Sequence, residues 1–108
     1  MSGTQITLQD LYKKSQQLGP KDVILDVRNP DEFQSGHIEG ALNIPAPQLA
    51  ARAGELKGYE KVYIHCKRGG RAKMAFETLQ ASGLDNVVCV HDAGMDAWIE
   101  SGYPVKLD

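Results

Sequence analysis

Three short runs constrain this chain more than any other feature. Val23-Ile24-Leu25, Val62-Tyr63-Ile64-His65 and Val87-Val88-Cys89-Val90 are apolar, or nearly so, without alternation. A strand with one wet face alternates apolar and polar residues, whereas a continuous run marks a strand covered on both faces. Between these runs, apolar residues return at helical spacing. Leu8, Leu11, Tyr12 and Leu18 define one such face, and Ala72, Ala75, Phe76 and Leu79 another. Strands that alternate with helices need crossover connections. The expected fold class is therefore α/β, with a mainly parallel sheet and helices on both faces.

Local signals punctuate this pattern. Gln5-Ile6 is a short extended start, and Thr7 with Asp10 three residues later is a helix N-terminal capping signal stopped by Gly19-Pro20. Asn29-Pro30 ends the first apolar strand and opens a short helix through Asp31-Glu32-Phe33. Gly36 and Gly40 frame a turn around His37-Ile38, and Ala41-Leu42-Asn43-Ile44 is a second short strand ended by Pro45. Residues 47–53 read as a short helix. A longer helix starts at Arg71, with Gly83 as the cap beyond its end, and a last one spans 92–101 with Met95, Ala97 and Trp98 inward. No repeat or linker divides the 108 residues, which suit one domain over 1–108.

Charge and cysteine usage narrow the function classes. A formal net charge of -2 supplies no basic field for nucleic acid. No run approaches the roughly 18 consecutive apolar residues of a membrane span. Residues 1–9 lack the apolar centre of a secretory signal, so the expected location is cytoplasmic. Two cysteines, Cys66 and Cys89, make no disulfide framework and are expected to stay reduced. The His/Cys spacing of zinc sites is absent, and no metal or cofactor is expected.

Chemistry concentrates in His65-Cys66-Lys67-Arg68-Gly69-Gly70-Arg71, where a strand ends, a glycine loop turns and a helix begins. In parallel sheets ligands bind at the carboxyl ends of the strands, which is where Cys66 falls. Such a turn aims successive backbone N–H groups at one point, and the helix N-terminus adds partial positive charge there. Lys67, Arg68 and Arg71 add three formal charges. Cys66 is thus expected as a thiolate nucleophile beside an anion cradle formed by Lys67, Arg68, Gly69, Gly70 and Arg71. That arrangement suits attack on thiosulfate, a phosphate ester or arsenate.

At these residues the sequence resembles the rhodanese family in its single-domain form, over nearly the whole chain. Leu25-Asp26-Val27-Arg28, Glu32-Phe33 and residues 36–45 are similar to the family's amino-terminal signature. Tyr63-Ile64-His65-Cys66, the glycine loop and Arg71 resemble its active-site segment. Residues 94–98 and Gly102-Tyr103-Pro104-Val105 resemble its carboxy-terminal one, although Ala93-Gly94 stands where two glycines are common. The resemblance implies a five-stranded sheet and a sulfur-transfer cycle. Cys66 takes sulfur from thiosulfate or a persulfide donor and yields it to cyanide or a thiol, small or on a thioredoxin-like protein. Related phosphatases of the cell-cycle type place one residue more between cysteine and arginine than the four between Cys66 and Arg71. The shorter loop argues against the alternatives of a cysteine-dependent phosphatase or arsenate reductase. A reactive cysteine argues against a non-catalytic, sulfur-responsive binding module.

The remaining candidates have plainer readings. Asp26 and Arg28 lie past a strand end; Arg28 is read as part of a structural ion pair with Asp26 or Glu32, of the weak surface kind, rather than as an anion ligand. Asp31-Glu32 is read as a solvated helix start. His37 is expected to hydrogen-bond structurally, and His65 to point to the sheet face opposite Cys66. Cys89 is read as an inert core thiol and His91 as a pocket-rim residue. Trp98 is read as a core anchor, the alternative being an apolar patch with Tyr103 beside the site.

Overall fold

The computed structural model describes residues 5–90 and 93–107. Among them, five strands form one sheet in the order β1-β5-β4-β2-β3, and every strand pair is parallel. The strands are β1 (Gln5–Ile6), β2 (Asp22–Asp26), β3 (Leu42–Asn43), β4 (Lys61–His65) and β5 (Val87–Val90). The helices are α1 (Leu8–Gln16), α2 (Pro30–Gln34), α3 (Leu49–Arg52), α4 (Gly70–Ala81) and α5 (Met95–Glu100). The fold class expected from the unbroken apolar runs is the one observed, and these runs are the three central strands.

The two faces of the sheet carry separate cores. On one, Val23, Leu25, Ile64 and Cys89 pack with Leu49 of α3 and with Ala72, Ala75 and Leu79 of α4. On the other, Ile24, Tyr63, Val88 and Val90 pack with Leu8 and Leu11 of α1 and with Met95 and Trp98 of α5. Alternate residues of each strand serve alternate cores, which is why the runs are apolar throughout. Trp98 is buried, donates its indole N–H to the Pro104 carbonyl at 2.7 Å, and meets Tyr12 and Tyr103 edge-on. It and Tyr103 belong to this second core, as the anchor reading expected.

The structure moves several boundaries. The helix expected over 47–53 is a composite: 3₁₀ turns over Ala46–Gln48 and Ala53–Leu56 flank α3. β3 contracts to its two paired residues. α4 begins one residue early, at Gly70, and α5 starts only at Met95, because the Gly94 backbone is extended. Asp92, expected to open that helix, lies outside the described residues, as does His91. The Thr7–Asp10 signal forms a reciprocal capping box.

Connections from β2 and β4 leave in opposite directions, β2 to β3 and β4 to β5. The crevice between their carboxyl ends is a topological switch point, where open α/β sheets bind ligands. Asp26 and His65 are partners in register there. Asp26 is fully buried and Arg28 nearly so. Arg28 Nη2 donates to Asp26 Oδ2 at 2.7 Å and to the Gly36 carbonyl at 2.8 Å, and its Nε donates to Asp26 Oδ1 at 3.0 Å. This is the ion pair expected from the sequence, but it is interior rather than superficial, so its loss is costly. Asp26→Ala would strand the guanidinium and lower unfolding stability by about 3–5 kcal/mol. Urea unfolding would measure this, and replacing Arg28 by Met in the same chain should recover most of it.

Candidate active site

Cys66 follows β4 directly at this switch point, and its side chain is buried. The chain turns through Lys67, Arg68 and Gly69 before entering α4. Gly69 has φ of 114°, a conformation that a side chain disfavours. Its N–H then donates to Cys66 Sγ at 3.0 Å, and the Ala72 N–H in the first turn of α4 donates at 3.3 Å. Both donors, with the helix terminus behind them, favour negative charge at or on the sulfur. A cavity of about 360 Å³ opens over it, lined by Cys66, Lys67, Arg68, Gly70 and Arg71. Five of the six residues expected at the cradle line it, and the sixth, Gly69, supplies an N–H to the sulfur. A larger hollow of about 450 Å³ lies at the amino ends of β4 and β5, near Glu60 and Asn86. No cysteine lines it, and it lies away from the carboxyl ends of the strands, so the smaller one is the chemical candidate.

The cations are less free than their sequence implies. Arg71 donates through both terminal nitrogens to the two carboxylate oxygens of Glu32, at 2.8 and 3.1 Å. Glu32 also accepts the Asn29 N–H at 3.0 Å. These Arg71 hydrogen bonds outweigh partial desolvation and pull the Glu32 carboxyl down to about 2. Glu32 is therefore not the merely solvated helix residue expected; it reaches across from α2 to the loop. Arg68 Nε donates to Asp96 of α5 at 3.1 Å, with both side chains well exposed. Lys67 is in no ion pair among the described residues.

His65 is fully buried on the face opposite Cys66, as the strand alternation requires. Its Nδ1 lies 3.4 Å from the Cys66 carbonyl oxygen, and its Nε2 lies 3.8 Å from Asp26 Oδ2 without a hydrogen-bond partner. Burial lowers its pKa, and Arg28 offsets part of the attraction of Asp26, so the ring is neutral at pH 7. His37 sits near the Phe33 carbonyl at 2.9 Å from Nδ1 and stacks on the Phe33 ring, in keeping with a structural role. Cys89 is buried on the same sheet face as Cys66, and burial pushes its thiol up to about 11. Among the described residues, no three His, Cys, Asp or Glu side chains converge to hold a metal, and no helix is long and apolar enough to cross a membrane.

Gly94 was legible in the sequence only as part of a signature block, and its structural role was missed. The Met95 N–H donates to the Cys66 carbonyl at 2.8 Å, and the Asp96 N–H to the Lys67 carbonyl at 3.2 Å. The first turn of α5 thus takes up the loop carbonyls and turns them away from the cavity. A Cβ on Gly94 would overlap the Cys66 carbonyl oxygen and lie 2.6 Å from the Lys67 carbonyl carbon. Neither is a flexible side-chain end. The neighbouring Ala93, the departure from a double glycine, packs on the α1/α5 core instead.

Comparison with known proteins gives the same reading of the architecture. Residues 7–101 match the rhodanese-like domain. The chain belongs to this family. A rhodanese-related protein of Thermoplasma volcanium superposes with a TM-score of 0.83 at 36% identity, over 96% of this chain and 98% of that one. A protein named sulfurtransferase from Allochromatium vinosum is 33% identical over 79% of each chain. A putative sulfur carrier protein of Bacillus subtilis, YrkF, is 39% identical over 69% of this chain. This rhodanese-like chain spans 40% of YrkF and 55% of the uncharacterized B. subtilis protein YqhL, to which it is 38% identical over 70% of its own length.

Two outcomes follow from this geometry. Gly94→Ala should cost about 1–3 kcal/mol of stability through overpacking against fixed backbone, and should slow alkylation of Cys66 followed by intact mass. Ionised Glu32 contributes stability that is fully present above about pH 4.5 and is lost as pH falls towards 2. The melting-temperature advantage of wild type over Glu32→Gln should therefore narrow through that window. A constant gap would show that the Arg71 pair contributes nothing.

Proposed function

We propose that the chain is a sulfurtransferase that carries sulfane sulfur on Cys66. The observation that carries this reading is the sulfur itself, buried at the switch point and accepting the Gly69 and Ala72 N–H groups inside a small cradle. The names of the A. vinosum and YrkF relatives support it.

In the first half-reaction the Cys66 thiolate attacks the outer sulfur of thiosulfate or of a persulfide. The donor's S–S bond breaks, and sulfite or a thiolate leaves with the bonding electrons. The new persulfide anion is held by the loop N–H groups, with Lys67, Arg68 and Arg71 around the departing oxyanion. In the second half-reaction cyanide, a small thiol or a cysteine of a thioredoxin-like protein attacks the outer sulfur and returns Cys66 as thiolate. No base is needed when the nucleophile is already ionised. Asp26, Arg28 and His65 act by positioning the loop rather than by touching the reacting atoms. Such a cycle suits the reducing cytoplasm.

Incubation with thiosulfate and cyanide should release thiocyanate, and donor alone should add the mass of one sulfur atom to the protein. Cys66→Ala should abolish both while leaving the unfolding transition in place. Absence of adduct and turnover with both thiosulfate and a persulfide would overturn the proposal, and Cys66-dependent hydrolysis of an aryl phosphate would replace it with phosphatase chemistry.

A further inference from the structure

The sulfur-transfer reading leaves the donor's charge unspecified, and the two ion pairs around the cradle bear on it. Lys67, Arg68 and Arg71 face the cavity, but Glu32 and Asp96 each engage one of them. With Cys66 as the thiolate of the proposed cycle, the cations and anions of the cradle balance. Arg71, at the start of α4, already donates from both of its terminal nitrogens to Glu32. Its partner is not a stray surface carboxylate. Glu32 is held by the Asn29 N–H in the first turn of α2, and its side chain is three-quarters buried. A dianion entering here must either displace Glu32 from Arg71 or lie beside it. A monoanion meets Lys67 and the loop N–H groups without that contest.

Resting on that sulfur-transfer reading, we infer that Glu32, assisted by Asp96, sets the charge of the donor, so that the site takes singly charged sulfane-sulfur donors of the thiosulfonate or persulfide type in preference to dianionic thiosulfate. Glu32 is a specificity-determining residue that acts through Arg71. The contribution of Asp96 is smaller, because its pair with Arg68 is exposed and screened.

Two donors isolate the charge. Thiosulfate and methanethiosulfonate present the same outer sulfur, but a methyl group in the second replaces one anionic oxygen of the first. In each case the Cys66 thiolate bonds to the outer sulfur, the S–S bond breaks, and sulfite or methanesulfinate departs with the electron pair. The quantity to measure is the ratio of kcat/KM for the two donors, with cyanide as acceptor, in wild type, Glu32→Gln, Glu32→Asp and Asp96→Asn. Folding losses cancel, because both donors are read on one preparation. Glu32→Gln should shift the ratio towards thiosulfate by roughly three- to tenfold, the scale of one unit charge removed a few ångströms from a dianion. Glu32→Asp should restore part of the wild-type ratio, and Asp96→Asn should shift it by no more than about twofold. Wild type supplies a second measurement: sulfate should inhibit donor loading no more strongly than methanesulfonate. An unchanged ratio in Glu32→Gln with both donors still turned over, or a sulfate inhibition constant about tenfold below that of methanesulfonate, overturns the inference and leaves sulfur transfer intact. If neither donor loads Cys66, the sulfur-transfer reading falls and this inference falls with it.

Discussion

Asp26 and Arg28 are held almost entirely out of water, and much of the site is arranged around that fact. A buried pair survives only when its remaining lone pairs and N–H groups are satisfied. Here the guanidinium spans the carboxylate and the Gly36 carbonyl, which ties the end of β2 to the turn before β3. The Asn43 side chain donates to the carbonyls of both Asp26 and Arg28, and the Ile44 N–H donates to the Asp26 carbonyl. The Val27 N–H donates to His65, so the same junction fixes the end of β4 one residue before the cysteine. Burial keeps His65 neutral within it, and Arg28 offsets part of the pull of the adjacent Asp26 carboxylate.

From that base the loop is shaped by what receives its polar groups. Its N–H groups turn inward to the sulfur and its carbonyls turn outward to α5. Neither orientation would hold without the other, since an unpaired buried carbonyl is costly. Gly94 permits the second by letting backbone approach backbone, and Gly69 permits the first through its positive φ. Cys89 shares the sheet face of Cys66, but lies in a strand whose backbone groups are engaged by their neighbours, and burial raises its pKa.

The cradle is also a site whose cations are partly engaged rather than a simply basic one. Carboxylates from α2 and α5 converge on the loop from two sides and engage two of its cations. Electrostatic selectivity in such a site comes from the competition between internal and incoming anions, not from the count of basic residues.

The architecture was legible in the amino-acid order because doubly covered strands must be apolar without alternation. Val62 to Cys66 also carries its own geometry: the strand's two-residue period separates His65 from Cys66, and a glycine turn into a helix aims N–H groups at the sulfur. Those are local facts, decided within a few residues. The pairing of Glu32 with Arg71, 39 residues apart, was not legible, since a helix-start carboxylate looks the same whether it faces water or a loop. Nor was the depth of the Asp26–Arg28 pair, or the contact between Gly94 and the Cys66 carbonyl. Each depends on how crossover connections bring distant segments to one end of the sheet. Periodicity and turn chemistry thus chose the fold and the position of Cys66, while the packing of α2 and α5 against the loop decided how much of the loop's charge is already engaged.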